Sequence, residues 1–198
     1  MFPRLHPNTK TALSLIAGTL ASVAAVVLLV NFHAALVAQP ERIFFANFDG
    51  NDYEIYVMNL DGSDVVQLTD NDSDDWGPSV SPNGRRVAFR SDRDGAARVY
   101  VMNMDGTGAY AISPAGISTG TPLFTTAPAW SPNGTMIAYE ASVDNIWNIY
   151  VSSAYGHSGC SGSDMMQVTF GTSLDAGPSF SPDGTQLAFH SYRYGEPD

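Results

Sequence analysis

The chain has 198 residues, 44% of them hydrophobic and 15% charged, with 18 Gly and 12 Pro, an ordinary globular composition weighted toward turn formers. All 20 Asp and Glu lie beyond Ala38, where seven of the nine Lys and Arg remain, so residues 39–198 carry a net charge of about −13. That sign excludes the basic footprint that nucleic-acid phosphates require, and a soluble acidic surface is the plain reading of it.

Residues 1–10 carry Arg4 and Lys10 and no acid, and residues 11–38 open with the uncharged run TALSLIAGTLASVAAVVLLV from Thr11 to Val30. About 20 apolar residues suffice to span a bilayer, and flanking cations hold the N-terminus in the cytoplasm. The expectation is a short cytoplasmic N-terminus, 1–10, followed at 11–38 by a transmembrane anchor or signal peptide, with the rest of the chain exported. A retained anchor is favoured over cleavage after Ala38, because Leu36 stands where a signal peptidase prefers a small residue. The expected location is the cell membrane, single-pass, with a periplasmic or extracellular C-terminal region, or the periplasm or exterior after cleavage. Cys160 is the one cysteine, so it forms no internal disulfide and says nothing of the redox compartment.

From residue 39 onward the chain repeats itself. GPSVSPNGRRVAF from Gly77, APAWSPNGTMIAY from Ala127 and GPSFSPDGTQLAF from Gly177 place Pro78, Pro128 and Pro178 fifty residues apart, a period that belongs to solenoids, propellers and arrays. Each phrase is a hairpin. Pro82, Pro132 and Pro182 preset φ for the first turn position, Asn83, Asn133 and Asp183 suit the next, and Gly84, Gly134 and Gly184 accept positive φ. The hydroxyls of Ser81, Ser131 and Ser181 can bond the turn amides. A catalytic reading of these serines fails, because three equivalent copies are what a structural turn predicts.

A second phrase, IYVMNLDG from Ile55, VYVMNMDG from Val99 and the worn IYVSSAYG from Ile149, leads through Asp61-Gly62 and Asp105-Gly106 into a third, VVQLT from Val65, AYAIS from Ala109 and MMQVT from Met165. The unit is four short strands joined by three tight turns. IYVM and VYVM are apolar throughout instead of alternating, so both faces of the sheet should be covered, as in blades stacked around a propeller axis. The small Ala88, Ala138 and Ala188 suit close contact between blades. Blades are expected at about 42–69, 76–113, 126–169 and, in part, 176–198.

These residues resemble the TolB-type, WD-like propeller repeat family, whose signature runs Pro-x-aromatic-Ser-Pro-Asp-Gly, Ile-Ala-Phe, Ile-Tyr-Val-Met-Asn-x-Asp-Gly, Leu-Thr. The match covers residues 42–190 and includes SDRDG at Ser91 to Gly95. The resemblance implies an all-β fold, here an open, incomplete propeller of about three four-stranded blades and a partial one behind the N-terminal helix. It also implies an envelope protein that binds other envelope proteins. Members of the Tol–Pal system carry an α/β domain before the propeller, whereas Arg42-Ile43-Phe44-Phe45 aligns with Arg86-Val87-Ala88-Phe89 directly after the apolar segment. Because a ring needs four to eight blades, the expectation is a partial coding sequence, or several chains closing one ring and associating through open blade edges.

Candidate chemistry is thin. His157 and Cys160 in GHSGCSGSD are half of a metal or thiol site, with no second pair to complete four ligands. Asp70, Asp72, Asp74 and Asp75 crowd DNDSDDWG, but Asp75 stands where an EF-hand loop needs Gly and Ser81 where it needs Glu, so a solvated acidic loop is favoured over a calcium loop. No catalytic, cofactor-binding or metal-ligating residue is assigned, and no cofactor is expected. The function expected is a non-catalytic protein-interaction or ligand-binding module of the envelope, with proteins or glycans as partners, no nucleic acid, and the membrane reached through the N-terminal helix. The alternative is the propeller portion of a prolyl-oligopeptidase-type serine peptidase.

Overall fold

The computed structural model describes residues 41–119, 126–156 and 165–193. The chain divides into Met1–Glu41 and Arg42–Asp198, and every described strand belongs to the second unit. The expected anchor or signal segment at 11–38, His157 and Cys160 lie outside the described residues.

Among the described residues there are thirteen strands and no helix. A three-stranded sheet holds β1 (Arg42–Phe48), β2 (Tyr53–Asn59) and β3 (Val66–Gln67) in that order. The next is four-stranded, β4 (Asp75–Val80), β5 (Arg86–Ser91), β6 (Arg98–Asn103) and β7 (Tyr110–Ala111). A second four-stranded sheet holds β8 (Ala129–Trp130), β9 (Met136–Val143), β10 (Ile146–Ser153) and β11 (Met165–Gln167), and the last pairs β12 (Asp175–Phe180) with β13 (Leu187–Ser191). All neighbours are antiparallel. These are four consecutive propeller blades, the first holding strands two to four and the last strands one and two.

The continuous apolar runs have a simple cause. In the second blade Val87, Phe89, Tyr100 and Met102 face the first blade and pack with Ile55, Phe44, Ala46 and Leu68. Their neighbours in sequence, Ala88, Val99 and Val101, face the third blade and pack with Ile137, Tyr139, Ala141 and Tyr150. Alternation puts successive side chains on opposite faces, and each face meets a blade. Burying one such side chain as fully as Phe89 contributes about 1.5–3 kcal/mol.

The Leu-Thr phrase closes each blade by a side-chain bond. The hydroxyls of Thr69, Ser113 and Thr169 accept the amides of Ile55 (2.8 Å), Val99 (2.9 Å) and Ile149 (2.9 Å). The outer strand is thereby tied to the third beyond its two or three ladder residues.

The inner strands β4 and β12 each change register between Trp76 and Ser79, and between Ala176 and Ser179. The bulge falls on Gly77-Pro78 and Gly177-Pro178, where φ is +62° and +63° at the glycines, a value glycine adopts at little cost. β10 runs to Ser153, so Ser152 lies within the strand. The Tyr139 hydroxyl shares a hydrogen bond of 2.6 Å with Ser152 Oγ, and burial pushes the Tyr139 phenol up to about 12.

Candidate interaction face

Because every sheet is an antiparallel meander, its turns alternate between two ends. One end carries the Ser-Pro-Asn/Asp-Gly hairpins and the Asp-Gly turns before the outer strands. There Ser81, Pro82, Asn83 and Gly84 form a turn in which the Gly84 amide donates to Ser81 C=O at 2.8 Å, and Ser81 N–H donates to Arg86 C=O at 2.9 Å. Ser81 Oγ donates to Asn83 Oδ1 at 2.9 Å and accepts the Arg86 amide at 3.0 Å. Ser131, Pro132, Asn133 and Gly134 repeat this, with Ser131 Oγ 2.7 Å from Asn133 Oδ1 and 2.9 Å from the Met136 amide. In Ser181, Pro182, Asp183 and Gly184 the corresponding distances are 2.6 Å to Asp183 and 2.9 Å to the Gln186 amide. The serine oxygens are thus engaged in the turns. Successive turns also stack: Pro132 Cδ lies 3.3 Å from where a Cβ on Gly184 would stand, and Pro82 Cδ 3.8 Å from the same point on Gly134.

The other end gathers the turns between second and third strands and the connections from one blade to the next. Tyr53 N–H donates to Asp74 Oδ1 at 3.0 Å, and the Asp92 amide to Asp74 C=O at 3.3 Å. This end is acidic. Asp49, Asp52, Asp72 and Asp74 crowd one another. Burial first, and the carboxylates of Asp49, Asp74 and Asp72 after it, hold Asp52 above its ordinary value, against a hydrogen bond from Asn51. The arginines here are spent locally: Arg93 pairs with Asp75 at 2.7 Å, and Arg98 binds Asp94 and Ser113 C=O. Beside the acids the rings of Phe48 and Tyr53 lie 5.6 Å apart and are 52% and 49% exposed. An acidic field with exposed aromatics can attract and hold a cationic, partly apolar segment.

Between the two ends the blades are bolted by ions. Arg90 Nη2 and Glu140 Oε1 meet at 2.7 Å with neither side chain exposed. Arg90 Nε donates to Thr126 C=O at 2.8 Å, and Thr126 Oγ1 donates to Glu140 at 2.7 Å. Two further ion pairs, Asp75–Arg93 and Asp175–Arg193 at 2.7 and 2.9 Å, each lie within one blade, the second and the last, tying its inner strand to the turn after the next strand. Among the described residues no group of three or more His, Cys, Asp or Glu is arranged to hold a metal ion.

Sequence reasoning overlooked Arg90, Glu140, Phe48 and Tyr53. A signal existed for the aromatics, since Phe48 and Tyr53 flank the tight turn Asp49–Asp52 and face each other across it. Arg90 and Glu140 occupy the same place in successive copies of the repeat, and the difference in residue type there was the available clue.

The family model for the TolB beta propeller domain matches residues 20–125, more than half of the chain. A protein TolB homolog of Chlorobaculum tepidum is 40% identical over 62 residues, which cover 31% of this chain and 14% of that protein. A dipeptidyl-peptidase 5 of Porphyromonas gingivalis is 43% identical over 46 residues, 23% of this chain and 7% of that protein. Among solved structures, TolB from Acinetobacter baumannii superposes with a TM-score of 0.62 at 21% identity over 79% of this chain and 37% of its own. A puromycin hydrolase superposes with a TM-score of 0.58 at 14% identity over 76% and 23%. These superpositions concern the fold, and the chain spans well under two thirds of the length of each of these proteins. The chain belongs to the TolB beta propeller domain family.

Proposed function

We propose that this chain serves as a non-catalytic binding module of the cell envelope, exported and held at the membrane by its N-terminal apolar segment. Its acidic end face is the binding surface. The observation that carries the reading is the coincidence, at one end of the blades, of crowded carboxylates with the exposed Phe48–Tyr53 pair, while the arginines of that end are engaged in internal bonds. The partner is another envelope protein presenting a basic segment with apolar side chains. A glycan, which has no positive charge to offer, fits this face less well.

A second reading has support of its own: the similarity to a dipeptidyl-peptidase and to a puromycin hydrolase suits the propeller portion of a serine peptidase. The hydroxyls of Ser81, Ser131 and Ser181 are bound into their turns, which weighs against them as nucleophiles, and His190 belongs to β13. Two measurements separate the readings. Envelope fractions are assayed for salt-sensitive association of the chain with other proteins, and the protein encoded by the whole reading frame is assayed against fluorogenic prolyl peptides. Association without hydrolysis supports the binding module; hydrolysis abolished by a serine-directed inhibitor overturns it.

A further inference from the structure

Glu54, on β2, and Asp75, at the start of β4, are both fully buried, and one residue grips them both. The Asn71 amide donates to Glu54 Oε1 at 2.7 Å, and Asn71 Nδ2 donates to Asp75 Oδ2 at 3.0 Å. Arg93 adds a second donor to Asp75 Oδ2 at 2.7 Å. The remaining oxygens, Glu54 Oε2 and Asp75 Oδ1, are buried and receive no hydrogen bond. Two carboxylate oxygens lacking donors, on groups held side by side away from water, are costly as a pair of anions.

We propose that Glu54 and Asp75 share one proton, with Glu54 Oε2–H donating to Asp75 Oδ1, and that this hydrogen bond latches the first blade to the inner strand of the second. A single proton satisfies both unpaired oxygens and removes one of the two buried charges. Around Glu54 the charged and titratable groups are Asp75 from β4, Arg93 behind it from the turn after β5, and Asp52 two residues earlier at the rim with Asp49, Asp72 and Asp74. Thr69 and Asn71 contribute neutral donors. Burial, the largest influence, together with Asp75 holds the Glu54 carboxyl above its ordinary value even though Thr69 and Asn71 pull the other way.

The repeat supplies an internal control. One hundred residues on, the counterpart of Asp75 is Asp175, and the counterpart of Glu54, the residue before the Ile-Tyr-Val phrase, is Asn148. There the Ser191 hydroxyl donates to Asp175 Oδ1 at 2.6 Å and Arg193 to Oδ2 at 2.9 Å, so both oxygens have donors. Burial acts upward on Asp175, but the hydrogen bonds from Ser191, Arg193 and Thr169 outweigh it and lower it. At the first seam Ser91 Oγ instead receives Arg93 Nε at 2.7 Å, and Asp75 Oδ1 is left to Glu54. The latch pins the 70–75 loop, which carries Asp70, Asp72 and Asp74, so its proton controls how firmly the acidic end face is held.

The sign follows from the raised Glu54. The stabilisation is complete below the ordinary value of 4.5 and is lost as pH rises through the folded-state midpoint. The test is a carboxyl-carbon NMR titration of the full chain, with the Glu54 signal assigned through bonds and checked by its loss in E54Q. The expected result is a midpoint above 4.5 that moves down in D75N, together with a fall in urea midpoint with rising pH in the wild type that E54Q does not share. A Glu54 midpoint at or below 4.5 overturns the proposal. So does a Ca²⁺-dependent rise in thermal midpoint that D75N and E54Q both abolish, since a cation would then occupy the place assigned to the proton. The wild-type titration stands even where E54Q fails to fold.

Discussion

Arg90 and Glu140, fifty positions apart in sequence, meet at 2.7 Å between Nη2 and Oε1 in an ion pair with no exposed surface on either side chain. They occupy the same position in successive copies of the repeat, the residue after Phe89 and after Tyr139. Each blade therefore contributes one partner at its seam. Arg90 Nη1 is left without an acceptor, and burial lowers the guanidinium against the pull of Glu140.

The pair should be costly to break singly and cheap to remove together. Replacement of one partner alone, R90M or E140L, strands a buried charge and is expected to cost about 3–5 kcal/mol. The apolar double variant R90M/E140L should lose far less than the two single losses added. Urea denaturation of the four proteins closes the cycle.

Two glycines in equivalent turns make a controlled comparison. Gly62 and Gly106 share φ = +84°, but a Cβ on Gly62 meets nothing within 4 Å, whereas one on Gly106 would stand 2.2 Å from Leu68 C=O in the preceding blade. G62A should cost about 1 kcal/mol, the conformational penalty alone. G106A carries that penalty plus overpacking against backbone, about 2–4 kcal/mol in all. Equal losses in urea midpoint would show that the second blade's turn does not bear on the first blade.

The hairpin serines act through their turns. S81A and S131A each remove a hydroxyl that donates to an asparagine and accepts an amide while buried, an expected loss of about 1 kcal/mol apiece. S181A, in a more exposed turn, should lose less. Thermal denaturation of the three variants ranks them.

At the third hairpin the Ser181 hydroxyl first, then the Thr185 amide and hydroxyl, hold Asp183 down to about 2. A depressed carboxyl contributes stability above its unfolded value near 3.9 that is lost as pH falls toward 2. D183N, which restores the residue found at Asn83 and Asn133, should leave neutral-pH stability unchanged and remove that share of the acid loss. A pH series of thermal midpoints on both proteins checks it.

The family and the all-β architecture were legible because they rest on short-range grammar: Pro, Asn/Asp and Gly in register, and apolar runs too continuous for a one-sided sheet. What was illegible is long-range and lies where the copies differ. Ala46, Arg90, Glu140 and His190 fill one repeat position with four chemistries, and only packing shows that the middle two meet. The same holds for Glu54 and Asn148, whose difference becomes meaningful once Asp75 and Asp175 are seen with unequal donors. The exposed pair Phe48 and Tyr53 reads in sequence as two more strand aromatics, because accessibility depends on which blade stands beside them.

The central claim is that the acidic end face binds a protein of the envelope. A photo-crosslinking residue placed at Tyr53, on that face, is compared with one at Leu60, which is 63% exposed at the opposite end, each in cells and at low and high salt after lysis. The account predicts a discrete protein adduct from Tyr53 that weakens at high salt and in D72N/D74N, and none from Leu60. Equal adducts from both positions, or a Tyr53 adduct indifferent to salt and to the loop carboxylates, would contradict it.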